Sequence, residues 1–307
     1  NFASIRVTHT NPFRVLDLPA GQDFVLQRGL ISLNQPPGVA TVEALRCTGR
    51  VHFEQLDVSN YTSGPGIAVV DCSAVTLREC RVVGGWPALF VRDSTVVLTG
   101  STLVGGPADS APAGDGIIAV QSRLQLAGCQ VSGGATFSSQ SPGAAATLHA
   151  CSVTAGGGAI GGWMKAGSSL RGSPASVPAV RGQSSLLELD PGLPVTGTGS
   201  QPVVGVAVVN RTVPSLVMHG VSVVLSQFEG DPTAATATLI GVPSDPIYSA
   251  AFSGALWIAP PSLVTLPGVF GGYRPLGLPP GTTLAFQVAS VTTTGVELSN
   301  VVIATAP

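Results

Sequence analysis

The sequence predicts an all-β chain: a right-handed parallel β-helix (solenoid) followed by a small antiparallel β-sandwich. Three observations predict it. First, four segments can be laid over one another: CSAVTLRECRVVGG (residues 72–85), DSTVVLTGSTLVGG (93–106), QSRLQLAGCQVSGG (121–134) and GAAATLHACSVTAG (143–156). Leu77, Leu98, Leu126 and Leu148 form one column, and Val82, Leu103, Val131 and Val153 form a second. Cys80, Ser101, Cys129 and Cys151 form a third. The spacings are 21, 28 and 22 residues, and a repeat that varies in length through loop insertions marks a stacked β architecture. Second, the 39 Gly and 25 Pro are too many for a helical protein and show no Gly-X-Y period. Third, Gly-Gly pairs close the repeats at 84–85, 105–106 and 133–134, where glycine supplies the positive φ of a tight corner.

The elements follow in order. Residues 51–58 align with 75–82 at an offset of 24, which extends the column toward the N-terminus. An apolar strand precedes each copy, at 66–70, 88–91 and 116–120. Each rung thus has two clear strands and a third short one, with inward residues stacking about 4.8 Å apart. PADSAPAGD (107–115) and ATFSSQSPG (135–143) are corner insertions, which in solenoids gather on one face. One more rung is expected at 184–189, closed by Asp190-Pro191-Gly192. PVTGTGSQP (194–202) reads as a linker. Beyond it, short alternating segments at 221–225, 237–240, 254–258, 283–288 and 301–303 suggest the sandwich. The expected division is 1–195 for the β-helix and 196–307 for a sandwich capping its C-terminal end.

Composition excludes several function classes. The formal net charge is −2, and no basic patch offers an electrostatic footprint for nucleic acid. No apolar run is long enough for a membrane-spanning helix. Charged residues are 10% of the chain, against about 25% in a typical soluble domain. There is one lysine, Lys165, beside 13 arginines. A surface this apolar points to interaction.

The rungs, with GDGI at 114–117, resemble the right-handed β-helix repeats of the pectate-lyase-like superfamily. With DLPAGQDFVLQRGLISL (17–33), LWIAPPSLVTLPG (256–268) and GVELSNVVIATAP (295–307), the chain is similar to large secreted β-helix repeat proteins of planctomycetes and similar environmental bacteria. The resemblance implies a secreted protein whose first residues lie inside a longer solenoid. The absence of an initial Met is read the same way, as a processed, extracellular or cell-surface product.

Lyases of this fold use an Arg or Lys base and clustered carboxylates for Ca²⁺. Hydrolases use paired carboxylates. The family motifs for both are absent, and no two acidic residues are adjacent. Asp71, Arg92 and Asp93, with Asp109 and Asp115 in the inserted loop, form the one charged constellation. Asp71 and Arg92 read as an ion pair between rungs, and Asp109 and Asp115 as solvated carboxylates or, alternatively, as calcium ligands. His9, His52, His149 and His219 lack metal-ligand spacing, and His52 and His149 fall near outward positions. No cofactor is expected. Trp86 and Trp163 follow Gly-Gly pairs, either filling a corner or offering a stacking surface for sugar. Cys129 and Cys151 share a column, and Cys47 and Cys72 lie 25 residues apart. Each pair is either within disulfide range or a stack of reduced, buried thiols.

Three function classes remain. The first is an extracellular structural protein, a homopolymer joined head to tail. Its assembly edge would be an uncapped first rung with Asn1, Phe2, Ile5 and Val7, since an open rung invites pairing with another chain. The second is a carbohydrate-binding adhesin using Trp86 and the loops carrying Asp109 and Asp115, with polysaccharide as partner. The third is a divergent polysaccharide lyase or hydrolase.

Overall fold

The structure, a computed structural model, describes residues 5–7, 11–33, 38–107, 113–135, 142–156, 159–161, 177–191, 193–197, 201–219, 225–229, 233–260, 264–267 and 279–306. Asn1, Phe2, Asp109 and Trp163 lie outside these residues.

The parallel β-helix is present, with three strands per coil. The first face stacks Phe13–Leu16, Val42–Leu45, Ile67–Val70, Leu89–Arg92, Ile117–Val120 and Ala146–His149, then the start of Val180–Leu189. The second face stacks the first halves of Asp23–Leu33 and Arg50–Asn60 on Ala74–Arg78, Thr95–Thr99, Arg123–Ala127 and Ser152–Gly156. The third begins with Ile5–Val7 on Gly29, Leu30 and Ile31, and continues through Arg81–Val83, Thr102–Val104, Gln130–Ser132 and Ala159–Gly161. Every pairing is parallel, and inward residues form continuous ladders. One runs Phe53, Leu77, Leu98, Leu126, Ala155, Leu189.

That ladder corrects the expected alignment at its fourth member. Leu126 pairs with Ala155, an offset of 29 rather than 22, while Leu148 pairs with Ala119 and Val153 with Leu124. Segment 143–156 holds a first-face and a second-face strand, one strand earlier than expected. The reason is local. At the first corner Asp17, Arg46, Asp71, Asp93, Gln121, Ala150 and Ser184 adopt φ between 49° and 55°. At the second, Arg28, Gln55, Glu79, Gly100 and Gly128 do the same, at 51° to 61°. At the first corner the next residue is Leu18 after Asp17 and otherwise Cys47, Cys72, Ser94, Ser122, Cys151 or Ser185, six small side chains that are all buried. At the second it includes Cys80, Ser101 and Cys129. A segment crossing one corner therefore reads like a segment crossing the other.

Serine and cysteine are interchangeable there because both donate to the carbonyl two residues back. Ser94 Oγ donates to Arg92 O at 2.7 Å, and Cys72 Sγ to Val70 O at 3.3 Å. Both also bond between coils, in different ways: Ser94 Oγ accepts from the Cys72 backbone N–H at 2.9 Å, and Cys72 Sγ donates to Ala44 O at 3.3 Å. At the third corner the Gly-Gly pairs have a different cause from the one expected. None has positive φ. A Cβ on Gly85 would collide with the Thr62 carbonyl, and one on Gly106 with the carbonyls of Gly84 and Gly85. Close stacking of backbones, not turn geometry, requires glycine.

The solenoid also continues past residue 195. Val195–Thr196 pairs with Ala159–Gly161, and Val203–Asn210 pairs with Val180–Leu189, so one further rung strand lies within the expected linker and a second directly after it. The C-terminal unit is a smaller mixed sheet. Its centre is Thr283–Thr292, flanked by Ala235–Gly241 on one side and by Gly295–Leu298 and Val302–Thr305 end to end on the other. Phe252–Ser253 adds one parallel pairing. Two ribbons, Ser215–His219 with Leu225–Glu229 and Pro243–Tyr248 with Ala255–Ile258, join it.

Among the described residues this unit does not lie over the end of the solenoid. It packs on the outer side of the second face, where Ala74 and Val97 share a core with Leu239, Trp257, Ile258, Ala285, Leu298 and Ile303. Buried amides fix the ribbons. Gln287 Oε1 accepts from Trp257 N–H at 2.8 Å, and its Nε2 donates to Ala255 O and Ser299 O at 2.8 and 2.9 Å. Asn300 pairs with both backbone groups of Leu216, at 2.7 and 2.8 Å.

Candidate functional site

The outward side of the second face changes character along the solenoid. One outward ladder reads Val97, Gln125, Thr154, Glu188 and the neighbouring one Thr95, Arg123, Ser152. The C-terminal unit presses tightly where the ladder is apolar. Where it turns polar, a cleft of about 240 Å³ separates the two walls. The solenoid wall carries Thr95, Arg123, Gln125, Ser152, Thr154 and Glu188, and the facing wall Ser215, Tyr248, Ser253, Trp257 and Asn300.

Charge in and beside the cleft is organised. Arg211 donates to Glu188 Oε2 at 2.9 Å and to Glu297 Oε2 at 3.4 Å, tying the solenoid to the C-terminal unit. Thr154 Oγ1 also donates to Glu188 Oε2, at 3.3 Å. The Arg123 guanidinium lies 4.5 Å over the Tyr248 ring, a cation–π contact. Three residues that line the cleft carry a buried side-chain atom with no hydrogen-bond partner among the described residues: Gln125 Oε1, Ser215 Oγ and Trp257 Nε1. None of these cleft residues stands out in the sequence as a site. The available signal was the switch from apolar to polar outward residues along one column.

The sequence-derived candidates are dispersed. Asp115 is buried and acts as a clamp across coils. It accepts from Ala144 N–H at 2.8 Å, from Thr147 Oγ1 at 2.6 Å and from Arg181 at 3.1 Å. Both its oxygens are engaged, which corrects the reading as a solvated or calcium-binding loop carboxylate. Among the described residues no group of three His, Cys, Asp or Glu forms a metal site. Arg92 pairs with Asp93 at 3.6 Å. Asp71 stacks on Asp93 at the same corner of the neighbouring coil, and its backbone N–H, not its carboxylate, meets Arg92, donating to Arg92 O at 3.0 Å. His52 is buried, with Nδ1 2.9 Å from Thr76 Oγ1, while His149 is exposed. Trp86 is 53% exposed, so it offers its ring to solvent instead of filling the corner.

All five cysteines are free and buried. Cys129 and Cys151 belong to different corners, so the column that paired them does not exist. Cys47 and Cys72 are consecutive at one corner, with no disulfide between them. Burial pushes the thiols of Cys72 and Cys80 up to about 12 and that of Cys129 to about 11. At Asp23 burial pushes the carboxyl up, but contacts with His52 and Arg50 more than reverse this and hold it at about 2.

No family model matches the chain, and no curated protein matches it. Among solved structures it is similar to the gp42 tailspike of Acinetobacter phage vb_AbaP_AS12, at 11% identity and a TM-score of 0.38, over 98% of this chain and 62% of that one. It is also similar to ORF18 of Geobacillus virus E2, at 9% identity and a TM-score of 0.31, over 98% of this chain and 67% of that one. A third is tailspike protein 2 of the Escherichia coli bacteriophage CAB120, at 10% identity and a TM-score of 0.28, over 93% and 64%. The chain thus spans less than two thirds of the first of these.

Proposed function

We propose that the chain is an extracellular structural protein whose copies join end to end, each solenoid continuing into the next as a filament or surface fibre. The observation that carries this reading is the strand Val203–Asn210. Among the described residues it pairs on one side only, with Val180–Leu189. Its Val208 occupies the inward ladder above Leu187, yet is 40% exposed because no further coil covers it. Val204 and Val209 are exposed on the same strand. An uncovered apolar edge without charge or proline is a template for another strand. At the other end Phe13–Leu16 also pairs on one side only among the described residues. Phe13–Leu16 begins the first-face column that Val203 and Val204 end, so one copy could stack on the next in register. Such a heterologous contact does not close, and it grows a filament. The extracellular placement rests on the sequence resemblance.

Sedimentation velocity across a concentration series, with electron microscopy, tests the proposal. End-to-end oligomers are expected, and the double substitution Val204→Lys with Val208→Lys should disperse them. Monomers at every concentration would overturn it.

One observation favours a second reading, a surface module that binds polysaccharide. Tyr61 and Trp86, 76% and 53% exposed, lie on the third corner of successive coils, and exposed aromatic rings suit sugar faces. A glycan array with the native chain and Trp86→Ala tests it. Loss of signal in the variant supports the reading, and an array with no hits removes it.

A further inference from the structure

We propose that the cleft between the solenoid and the C-terminal unit binds a neutral, hydroxyl-rich sugar ring, as one unit of a polysaccharide. The inference goes beyond end-to-end assembly and is independent of it.

Size, hydrogen bonding and charge each point the same way. At about 240 Å³ the cleft has room for about eight waters and falls below the usual volume of pockets for drug-sized ligands. A single ring fits that space, and the open mouth lets a chain leave. The hydroxyls of Thr95, Ser152 and Ser253 line it, beside Thr154 and the carboxylate of Glu188. This mixture of donors and acceptors in one place matches a ligand whose every group is both, and the hydroxyl is that group.

Beneath this layer are Gln125 Oε1, an acceptor, Trp257 Nε1, a donor, and Ser215 Oγ, which is either. Leaving such an atom buried and unbonded costs about 1–3 kcal/mol. The three come from opposite walls, Gln125 from the solenoid and the others from the C-terminal unit. A slight parting of the walls would bring them to a ligand, whose hydroxyls would then supply the missing partners. Charge decides between neutral and acidic sugars. Glu188 and Glu297 share Arg211, and Arg123 is the second cation, so two acids balance two bases. Tyr248, half exposed and held by Arg123, offers a ring edge to the apolar face of a pyranose.

Isothermal titration calorimetry on the whole chain provides the test. The probes are glucose, galactose, mannose, N-acetylglucosamine and galacturonate, with short oligosaccharides of each. At least one neutral sugar should bind, and Tyr248→Ala or Arg123→Ala should weaken it at least ten-fold. Both positions are exposed, so circular dichroism should be unchanged. Trp257→Phe, which keeps the ring and removes the donor, should weaken it as well. Trp86→Ala should leave it intact, which separates the cleft from the third corner. The inference fails if no neutral sugar binds, if galacturonate binds more tightly than galactose, or if Tyr248→Ala and Arg123→Ala change nothing. A chain that assembles but binds no sugar would sink this inference and leave the assembly reading standing.

Discussion

At the scale of single residues, the corners show what the small side chains do. Ser94 both donates and accepts, and the N–H it serves, that of Cys72, is buried. Ser94→Ala should therefore destabilise by about 1–3 kcal/mol, the cost of a buried donor left unmade, as read by chemical denaturation. Ala150 holds φ 52°, which costs a non-glycine residue about 1–2 kcal/mol. Glycine there would relieve that strain against an unfolded-state penalty of about 0.4–1 kcal/mol. Ala150→Gly should thus stabilise slightly, by under about 1 kcal/mol. The thiols pushed up to about 12 and about 11 at Cys80 and Cys129 carry no thiolate at pH 8. Iodoacetamide should label neither in the folded chain, and mass spectrometry after unfolding without reductant should find all five cysteines alkylated. Asp23, held at about 2 against an ordinary value near 3.9, stabilises the fold above pH 4. That contribution is lost as pH falls from about 4 to about 2, and Asp23→Asn should flatten the acid limb of a stability profile. The sequence columns already showed serine replacing cysteine. They did not show which corner a given cysteine occupies, because both corners use the same pair of residues.

At the scale of elements, the strands that face the C-terminal unit differ from their neighbours. Ala74–Arg78 is buried at every position, and Thr95–Thr99 at all but the first. A strand covered on one side alternates, and one covered on both does not. In the sequence the alternation breaks at Val97, between Val96 and Leu98, but not in Ala74–Arg78, where Thr76 and Arg78 keep the polar beat; both strands belong to the docking surface. The partner was not legible, since an alternating strand in the tail carries no mark of the surface it will meet. Val97→Glu would place an unpaired carboxylate in the shared core and should cost at least about 3 kcal/mol. Limited proteolysis should then cut within residues 211–307 before the solenoid. The boundary near 195 was misplaced for a related reason. Val203–Asn210 reads as a generic apolar strand, and the Gly- and Pro-rich stretch before it looks the same whether it links domains or rounds a corner.

At the scale of the molecule, the parallel solenoid was recoverable because its ladders repeat many times, so one mistaken register did not alter the architecture. The side-on docking was not recoverable, because it occurs once. Its energetic weight is testable. A chain ending at Arg211 would expose Ala74 and Val97 to water along with the open edge at Val208. It should bind a hydrophobic dye more strongly than the full chain and run as irregular aggregates in size-exclusion chromatography, where the full chain should show only its end-to-end oligomers.

The side-on docking also has a mechanical consequence. In the solenoid the hydrogen bonds between coils lie along the long axis, so tension along that axis loads them in series and the weakest coil yields first. The C-terminal unit touches the strands at Ala74–Arg78, Thr95–Thr99 and Arg123–Ala127 together, and its core grips two of them through Ala74 and Val97. It is a splint across neighbouring coils, sharing their load in parallel. Pulled from its ends, the chain should lose its outer coils at low force and keep the splinted stretch until the C-terminal unit itself tears free, as a late and separate event.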